Sequence, residues 1–285
     1  MSIYCGTSSW SEKSWDGVFY PKGTPDAERL SFYATQFPSV EADVTYYRIP
    51  SVSMVRGWRE RTPPGFRMAA KFPGSIVHGG SGAAPDRGRV LEWEHVQGDT
   101  ERFLEVMGIL GDRAGPLVLQ FPYFNLKTFR KATEFYELLD AYLERLPKSQ
   151  RYGVEIRNKN WVGEEFLSLL RKHNVAYVWV ELPYMPHPKE LSERLDLLTS
   201  DFLYGRLIGD RNAVDALTKT FDRIVMDRSE GLDGWADALT EALKRVPNAF
   251  LYANNHYAGF GPETIRDLRA RLSQRGVSDF VEPPK

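Results

Sequence analysis

The stretch Tyr152-Gly153-Val154-Glu155-Ile156-Arg157-Asn158-Lys159-Asn160-Trp161 carries two opposite charges within a short apolar run. A strand that is covered on both faces of a parallel sheet normally reads as a continuous apolar run. Glu155 and Arg157 stand at alternate positions, so a strand would turn both side chains to the same face. Burying a charge is costly unless the charge is paired or used. We therefore predict the fifth strand of a closed barrel, with its charged end in a ligand-binding mouth.

Short extended runs alternate with helical patterns along the whole chain. Eight runs are predicted to be strands: Ile3–Thr7, Val40–Thr45, Phe66–Lys71, Leu117–Pro122, Tyr152–Arg157, Ala176–Glu181, Leu203–Gly209 and Ala249–Asn254. Eight strands with helices between them indicate an α/β fold, a single (β/α)8 TIM barrel that spans residues 1–285. The Gly-rich connection at residues 73–98 is unusually long, so we expect either a lid or a mobile surface loop there.

The composition is that of an ordinary globular protein. The chain has 285 residues, of which 42% are hydrophobic, and its 37 Lys and Arg nearly balance its 38 Asp and Glu. Without a basic excess we expect no nucleic-acid partner, and without a long apolar segment we expect no membrane partner. The single cysteine, Cys5, excludes an internal disulfide and suits a reducing compartment, so we predict a cytoplasmic protein.

No cofactor motif is recognisable. The first strand is not followed by Gly-x-Gly-x-x-Gly, the chain has no Gly-x-x-x-x-Gly-Lys-Ser/Thr, and the five histidines form no cluster with ligand spacing. We therefore predict no cofactor and no intrinsic metal. The alternative is a divalent ion held by carboxylates near the strand ends, for which the candidates are Glu41, Asp43, Glu155 and Glu181.

Polar side chains recur at the strand ends that should form the mouth. In a TIM barrel the active site lies at the carboxyl ends of the strands, and side chains alternate between the interior and the helix layer. This rule collects an inward polar set: Thr7, Asp43, Thr45, Lys71, Gln120, Glu155, Arg157, Glu181, Arg206 and Asn254. It turns another set outward: Val154, Ile156, Val178, Val180, Leu203 and Leu207. A compensated ion network inside the barrel is the structural alternative to a ligand site.

The charges in this set indicate the chemistry. Lys71, Arg157 and Arg206 are three cations, which favours a small anionic ligand such as a phosphate or carboxylate compound. Glu155 and Glu181 lie on neighbouring predicted strands, so they can divide acid and base roles, and Lys71 completes the predicted catalytic set. A carboxylate pair is also typical of glycosidases, although Arg157 would keep Glu155 ionised and make it a poor acid.

Several motifs resemble one known family. They are Gly6-Thr7-Ser8-Ser9-Trp10, Trp15 through Pro21, Tyr46 through Ser51, Leu119-Gln120-Phe121-Pro122, Val154-Glu155-Ile156-Arg157 with Trp161, Arg206-Leu207 and Asn254-Asn255. Together they resemble the YecE-like family, domain of unknown function 72, from about Ile3 to Leu272. The resemblance implies a TIM barrel but no established reaction.

The resemblance also implies a set of site residues: Thr7, Glu41, Tyr47, Lys71, Gln120, Glu155, Arg157, Trp161, Arg206, Asn254 and Asn255. The chain departs from the family pattern at Asp43, Asn158, Ile208 and Ala253. Two of these departures replace histidines near the mouth, which weakens any histidine-based chemistry.

These observations lead to one functional prediction. We expect an enzyme, a hydrolase or a lyase, that acts on a small anionic substrate. The predicted binding residues are Thr7, Asp43, Tyr47, Gln120, Arg157, Trp161, Arg206, Asn254 and Asn255. The alternatives are a ligand-binding or interaction protein without catalysis, a glycoside hydrolase, and a metal-assisted phosphoester hydrolase. The sequence predicts neither the substrate nor the oligomeric state.

Overall fold

The chain folds as a nearly closed parallel barrel, as predicted. The computed structural model describes residues 1–80, 82 and 84–283. Within them one sheet has the order β1-β8-β7-β6-β5-β4-β3-β2, and all of its ladders are parallel. Its strands are β1 Ser2–Thr7, β2 Ser39–Ala42, β3 Arg67–Lys71, β4 Ala114–Gln120, β5 Tyr152–Glu155, β6 Ala176–Glu181, β7 Phe202–Leu207 and β8 Asn248–Ala253.

Helices follow the strands and form the outer layer. In the described residues they are α1 Asp26–Gln36, α2 Val52–Glu60, α3 Gly74–Val77, α4 Trp93–Gly108, α5 Ala132–Arg145, α6 Glu164–Lys172, α7 Pro188–Ser192, α8 Arg211–Leu217, α9 Ser229–Leu243 and α10 Gly261–Gln274. Their buried apolar side chains pack against the outward faces of the strands. None of the helices described is long and apolar enough to cross a membrane.

The connection after β3 is shorter than predicted. A short helix occupies Gly74–Val77, and α4 already begins at Trp93, so helices cover both ends of the predicted 73–98 loop. The apolar residues Val96, Phe103 and Met107 are buried on one stripe of α4, which explains the early start of this helix. Residues 81 and 83 of the connection lie outside the described residues.

A tyrosine hydroxyl closes the barrel between β1 and β2. Tyr33 of α1 accepts a hydrogen bond from the Thr7 backbone N–H (2.8 Å), and its hydroxyl lies 3.1 Å from the Ser39 carbonyl oxygen, to which it can donate. The two strands approach so closely that a Cβ on Gly6 would overlap the Ser39 carbonyl oxygen. A glycine is therefore needed where the edges of the sheet meet.

The barrel interior has an apolar layer and a polar layer. The apolar layer is one buried cluster: Ala69, Val118, Ala176, Val178, Phe202, Tyr204, Phe250 and Tyr252. Side chains that are two residues apart on a strand share a face, so the next inward positions toward the mouth include Lys71, Gln120, Arg206 and Asn254. The polar layer thus lies between the apolar layer and the mouth.

The structure corrects the predicted faces of β6. Val178 belongs to the interior cluster, and Tyr177 and Trp179 pack with the outer core, so Val178 and Val180 point inward. Glu181 consequently faces the helix layer. Both faces of β6 are apolar, so the alternation of polar and apolar residues could not predict which face points inward. In the structure the aromatic side chains pack in the outer layer, and the valines fill the barrel interior.

Candidate functional site

Arg206 lies at the centre of the polar layer. Its Nε and Nη2 donate to Glu41 Oε1 at 3.1 and 2.8 Å, and its Nη1 donates to Gln120 Oε1 at 2.8 Å. Nη1 also pairs with Glu155 Oε2. The Arg206 side chain is 1% exposed. Its guanidinium is therefore occupied by protein groups and cannot reach a ligand in this arrangement, so the predicted anion-binding role does not fit Arg206.

Two fully buried carboxylates flank Arg206. Burial alone would raise the pKa of Glu41, but Arg206, Lys71 and a 2.6 Å hydrogen bond from the Tyr204 hydroxyl lower it to about 2. Burial also acts to raise the pKa of Glu155, and Arg206, Arg157 and Lys71 together lower it. Both carboxylates are therefore ionised at neutral pH.

The polar layer balances its charges. Glu41, Asp43 and Glu155 face Lys71, Arg157 and Arg206 in a linked set of ion pairs. Three negative and three positive side chains make this network formally neutral. The deep part of this layer is thus a compensated ion network, which was the alternative to a ligand site in the interpretation of the sequence. Whatever binds a ligand must lie nearer to the opening.

Arg157 is the cation that faces the opening. It follows the end of β5, its side chain is 27% exposed, and its Nε lies 3.2 Å from Glu155 Oε1. Among the described residues, neither of its terminal nitrogens forms a hydrogen bond, and Glu155 is its one ion-pair partner. The buried Glu155 fixes the base of the guanidinium, so the two terminal NH2 groups are left as a pre-positioned fork for an anion.

Asp43 and Lys71 form the second pair at the opening. Lys71 Nζ lies 2.6 Å from Asp43 Oδ1, and the Asp43 side chain is 33% exposed although Oδ1 itself is buried. Burial raises the pKa of Asp43, and the nearby Glu41 carboxylate adds to this effect, against the opposing cations Lys71 and Arg206. An ammonium beside a carboxyl of raised pKa is an arrangement that can transfer a proton.

A small cleft beside Asp43 combines hydrogen-bond donors with carboxylates. It has a volume of about 170 Å³, and its walls include Ser8, Trp15, Asn254 and Asn255 together with Glu12 and Asp43. Ser8 Oγ and Trp15 Nε1 are buried without a partner among the described residues. Asn254 Oδ1 accepts from the His256 backbone N–H (3.0 Å) and Asn255 Oδ1 accepts from the Gly261 N–H (2.9 Å), so both asparagines keep an NH2 group for a ligand.

Three predicted binding residues lie away from the centre of the mouth. Thr7 shares the outward face of β1 with Cys5, and its hydroxyl bonds to the Ser9 carbonyl (2.6 Å) and meets Tyr33, although Thr7 also borders the small cleft. Tyr47 lines a separate cleft after β2. Trp161 packs on the rings of α5 and borders a third cleft of about 230 Å³ after β4 and β5.

Glu181 lies on the other side of the barrel wall from Glu155. Its Oε2 accepts from Trp235 Nε1 of α9 at 2.7 Å, and His187 Nε2 lies 3.4 Å from the same oxygen. Burial works to raise the pKa of Glu181, but His187, Tyr257 and Trp235 lower it. The predicted acid/base pair of Glu155 and Glu181 is therefore wrong, because Glu181 points into the helix layer.

The described carboxylates are not arranged as a metal site. Across residues 1–80, 82 and 84–283, no group of three or more His, Cys, Asp or Glu side chains is placed to hold a metal ion. Glu41, Asp43 and Glu155 instead pair with the cations of the network.

The sequence prediction omitted several contributors to the site. Tyr204 reads as a core residue of β7, yet its hydroxyl holds Glu41. Ser8 and Trp15 are separated by six residues, so only the folded loop after β1, which ends in a 3-10 turn at Lys13–Trp15, brings them together. Glu41, by contrast, belongs to the set that the family resemblance implied, and its charge within β2 was the available signal for the polar layer.

A parallel eight-stranded barrel with a polar layer at the carboxyl ends of its strands defines a TIM-barrel protein. The model of one family, described as "Protein of unknown function DUF72", matches residues 4–285. The chain belongs to this DUF72 family, which confirms the resemblance found in the sequence.

Relatives agree with this assignment. The UPF0759 protein YecE of Escherichia coli strain K12 is 32% identical over 173 residues, which are 59% of this chain and 54% of that protein. The chain thus matches about half the length of this curated relative. A crystal structure of a DUF72 family protein from Thermotoga maritima covers 96% of this chain and 100% of its own, with a TM-score of 0.72 and 27% identity. One from Enterococcus faecalis, with a TM-score of 0.68 and 20% identity, covers 99% and 98% and shows the same fold.

Proposed function

We propose that the protein binds a small anionic molecule at the mouth of its barrel and acts on it by acid/base chemistry. The observation that carries this proposal is the partly exposed Arg157 guanidinium, which Glu155 orients and whose two terminal nitrogens form no hydrogen bond with a described residue. A planar fork of this kind suits a phosphate or a carboxylate. The Ser8 hydroxyl, which has no hydrogen-bond partner within the described part of the chain, and the amides of Asn254 and Asn255 add neutral donors in the cleft beside Asp43.

Asp43 and Lys71 are the proton-transfer residues in this proposal. Glu155 was the candidate on sequence grounds, but it is 0% exposed and its pKa is lowered, so its part is to orient Arg157. Asp43 is partly exposed, has a raised pKa and lies beside Lys71. Such a pair can donate or accept the proton that a hydrolase or lyase reaction needs. We also propose a cytoplasmic location, since the lone Cys5 suits a reducing compartment.

Calorimetric titration of the purified protein with inorganic phosphate and with acetate tests the binding step. We expect saturable binding of at least one anion to the native chain and a loss of about tenfold or more in Arg157→Gln, because hydrogen bonds to a charged group contribute roughly 1.5–3 kcal/mol. Lys159→Gln is the matched control: it removes the same charge two residues away, beside the third cleft.

The results of these measurements distinguish an enzyme from a ligand-binding protein. Equal anion affinity in the native chain and in Arg157→Gln would remove Arg157 from the site. Binding that is lost in Arg157→Gln, together with turnover of an anionic substrate that falls in Asp43→Asn, would support an enzyme. If Asp43→Asn keeps full turnover, the proposed proton-transfer role is wrong, and the protein is better described as a ligand-binding protein that uses the same mouth.

A further inference from the structure

The cleft beside Asp43 is enclosed by segments that lie far apart in the chain. Its walls come from the loop after β1, from Asn254–His256 after β8, and from Phe221, which follows α8. The Phe221 backbone N–H donates to Ser14 Oγ at 2.9 Å, and the Phe221 ring packs on the ring of His256 with 4.8 Å between centroids. Contacts between these segments hold the walls together, so the cleft is a part of the fold.

Two buried donors in this cleft lack a partner. Ser8 is 2% exposed and Trp15 is 1% exposed. Neither Ser8 Oγ nor Trp15 Nε1 has a hydrogen-bond partner among the residues that the structure describes. Asn254 and Asn255 use their side-chain oxygens for backbone N–H groups, so their amide NH2 groups are further donors. Buried donors are rarely left unpaired, so the cleft calls for oxygen acceptors from a bound molecule.

Carboxylates lie beside these donors. Glu12 and Asp43 line the same cleft, and no lysine or arginine is found among its described lining residues. His256 is also in the wall, but its Nε2 lies 3.3 Å from Asp215 Oδ1, so a positive charge on this ring would already be paired. The cleft therefore disfavours an anionic group at its own position.

The combination of donors and carboxylates selects hydroxyl groups. An ammonium group is attracted to Asp43 but can only donate, so it would leave Trp15 Nε1 and the asparagine amides without acceptors. A hydrocarbon would leave both kinds of group unpaired. A hydroxyl can accept from Trp15 and donate to a carboxylate at the same time. The volume of about 170 Å³ equals that of about five or six water molecules at roughly 30 Å³ each, which is room for a short polyol.

A row of direct ion pairs joins the cleft to Arg157. Asp43 Oδ1 lies 3.8 Å from Arg206 Nη2, and Arg206 Nη1 pairs with Glu155 Oε2. Glu155 Oε1 in turn lies 3.2 Å from Arg157 Nε. The cleft and the guanidinium fork are thus the two ends of one row of contacting side chains. A hydroxyl in the cleft also lies beside Asp43, the proposed proton-transfer residue.

We infer that the ligand of the mouth is a polyhydroxylated anion, a sugar phosphate or a sugar acid, whose hydroxyl groups occupy the cleft beside Asp43 while its anionic group binds Arg157. This inference rests on the proposed function, because it extends the same anion site. It adds the class of substrate, which the Arg157 fork alone does not define.

Two matched pairs of compounds test the inference by calorimetry. Ribitol 5-phosphate and pentyl phosphate share a five-carbon chain and a phosphate, and only the first carries hydroxyl groups along the chain. Gluconate and hexanoate form the corresponding pair for a carboxylate. In at least one pair, the hydroxylated compound is expected to bind the native chain about tenfold more tightly or better, as two or more net hydrogen bonds contribute. The pair that shows this advantage identifies the anionic group.

Ser8→Ala tests whether the hydroxyl groups bind in the cleft. It should lower the advantage of the hydroxylated compound by about threefold or more, the contribution of one neutral hydrogen bond, and leave the affinity for the plain chain unchanged. Ser8 Oγ has no partner to lose among the described residues, so the variant is expected to fold normally. Ser11→Ala is the matched control, because it removes a hydroxyl from the same loop at a position that does not line the cleft.

The other results overturn the inference in distinguishable ways. If both members of each pair bind equally, the hydroxyl subsite is wrong and the proposed anion site stands. If the advantage is unchanged in Ser8→Ala, or falls as much in Ser11→Ala, the hydroxyl groups do not bind in this cleft. If none of the four compounds binds, the inference fails, and the titrations with inorganic phosphate and acetate decide the proposed function on their own.

Discussion

Arg206 holds Glu41 across the interior of the barrel, with Nε and Nη2 at 3.1 and 2.8 Å from the same carboxylate oxygen. This contact joins β7 to β2, two strands that are not neighbours in the sheet. Both side chains are buried almost completely. A pair of this kind contributes little net stability compared with apolar packing, but removing one partner leaves a buried charge without compensation.

Arg206→Gln should therefore destabilise the fold strongly. Glu41 and Glu155 would each lose their closest cation, and we expect a loss of about 3–5 kcal/mol in the free energy of unfolding. Urea unfolding followed by circular dichroism measures this loss. Arg157→Gln, which also removes an arginine from the network but at its exposed end, should cost no more than about 1 kcal/mol. Similar losses of unfolding free energy in the two variants would contradict the distinction between the buried Arg206 and the partly exposed Arg157.

Glu41 should also make the fold sensitive to acid. Its pKa is lowered from the ordinary value of 4.5 to about 2, so the native state binds the proton less tightly than the unfolded chain does. The resulting contribution, about 3 kcal/mol, is fully present above pH 4.5 and is lost as the pH falls toward 2.

The variant Glu41→Gln isolates this contribution. The native chain should be more stable than the variant at pH 6, and the difference in unfolding free energy should narrow as the pH falls from 4.5 to 3. Urea titrations at several pH values in this range measure the difference. If the difference in unfolding free energy stays constant with pH, Glu41 is not the group whose protonation destabilises the fold in acid.

The strand order could be predicted because the apolar runs and the helical stripes alternate regularly. β5 illustrates the limit of such a prediction. Its charged residues identified the polar end correctly, but the ladder ends at Glu155, so Arg157 belongs to the following loop and is freer than a strand position would be.

The roles of the charges were harder to predict than their positions. Arg157 and Arg206 look equivalent in the sequence, since each is an arginine in the second half of a predicted strand. What distinguishes them is the set of partners that other strands bring. Among the described residues, Arg206 pairs with Glu41, Glu155 and Gln120, whereas Arg157 pairs with Glu155 alone. Those contacts join residues that are up to 165 positions apart, which no local pattern records.

Gly6→Ala should weaken the closure of the barrel. The added Cβ would overlap the Ser39 carbonyl oxygen, which is backbone and cannot rotate away, so β1 and β2 must separate. Overpacking of this kind typically costs about 1–3 kcal/mol. Thermal unfolding measures this loss of stability. Gly98→Ala is the control, because Gly98 lies in α4 and has nothing within 4 Å of an added Cβ. Alanine at that position should stabilise the helix by about 0.5–1 kcal/mol. Equal effects of the two substitutions on stability would contradict a close contact between β1 and β2 at Gly6.

Glu181→Gln distinguishes the two sides of the barrel wall. Because Glu181 accepts a hydrogen bond from Trp235 in the helix layer, we expect a loss of stability of about 1–2 kcal/mol. Anion binding at the mouth should change by less than about twofold, since the partners recorded for the Glu181 carboxylate within the described residues are Trp235 and His187, which lie outside the mouth. Glu155→Gln, by contrast, frees the Nε end of Arg157 and should weaken anion binding while it also destabilises the network.

Calorimetry with phosphate measures anion binding in both variants, and urea unfolding measures their stability. If Glu181→Gln impairs anion binding as much as Glu155→Gln does, the two carboxylates act on one ligand, and the assignment of Glu181 to the helix layer cannot describe its function.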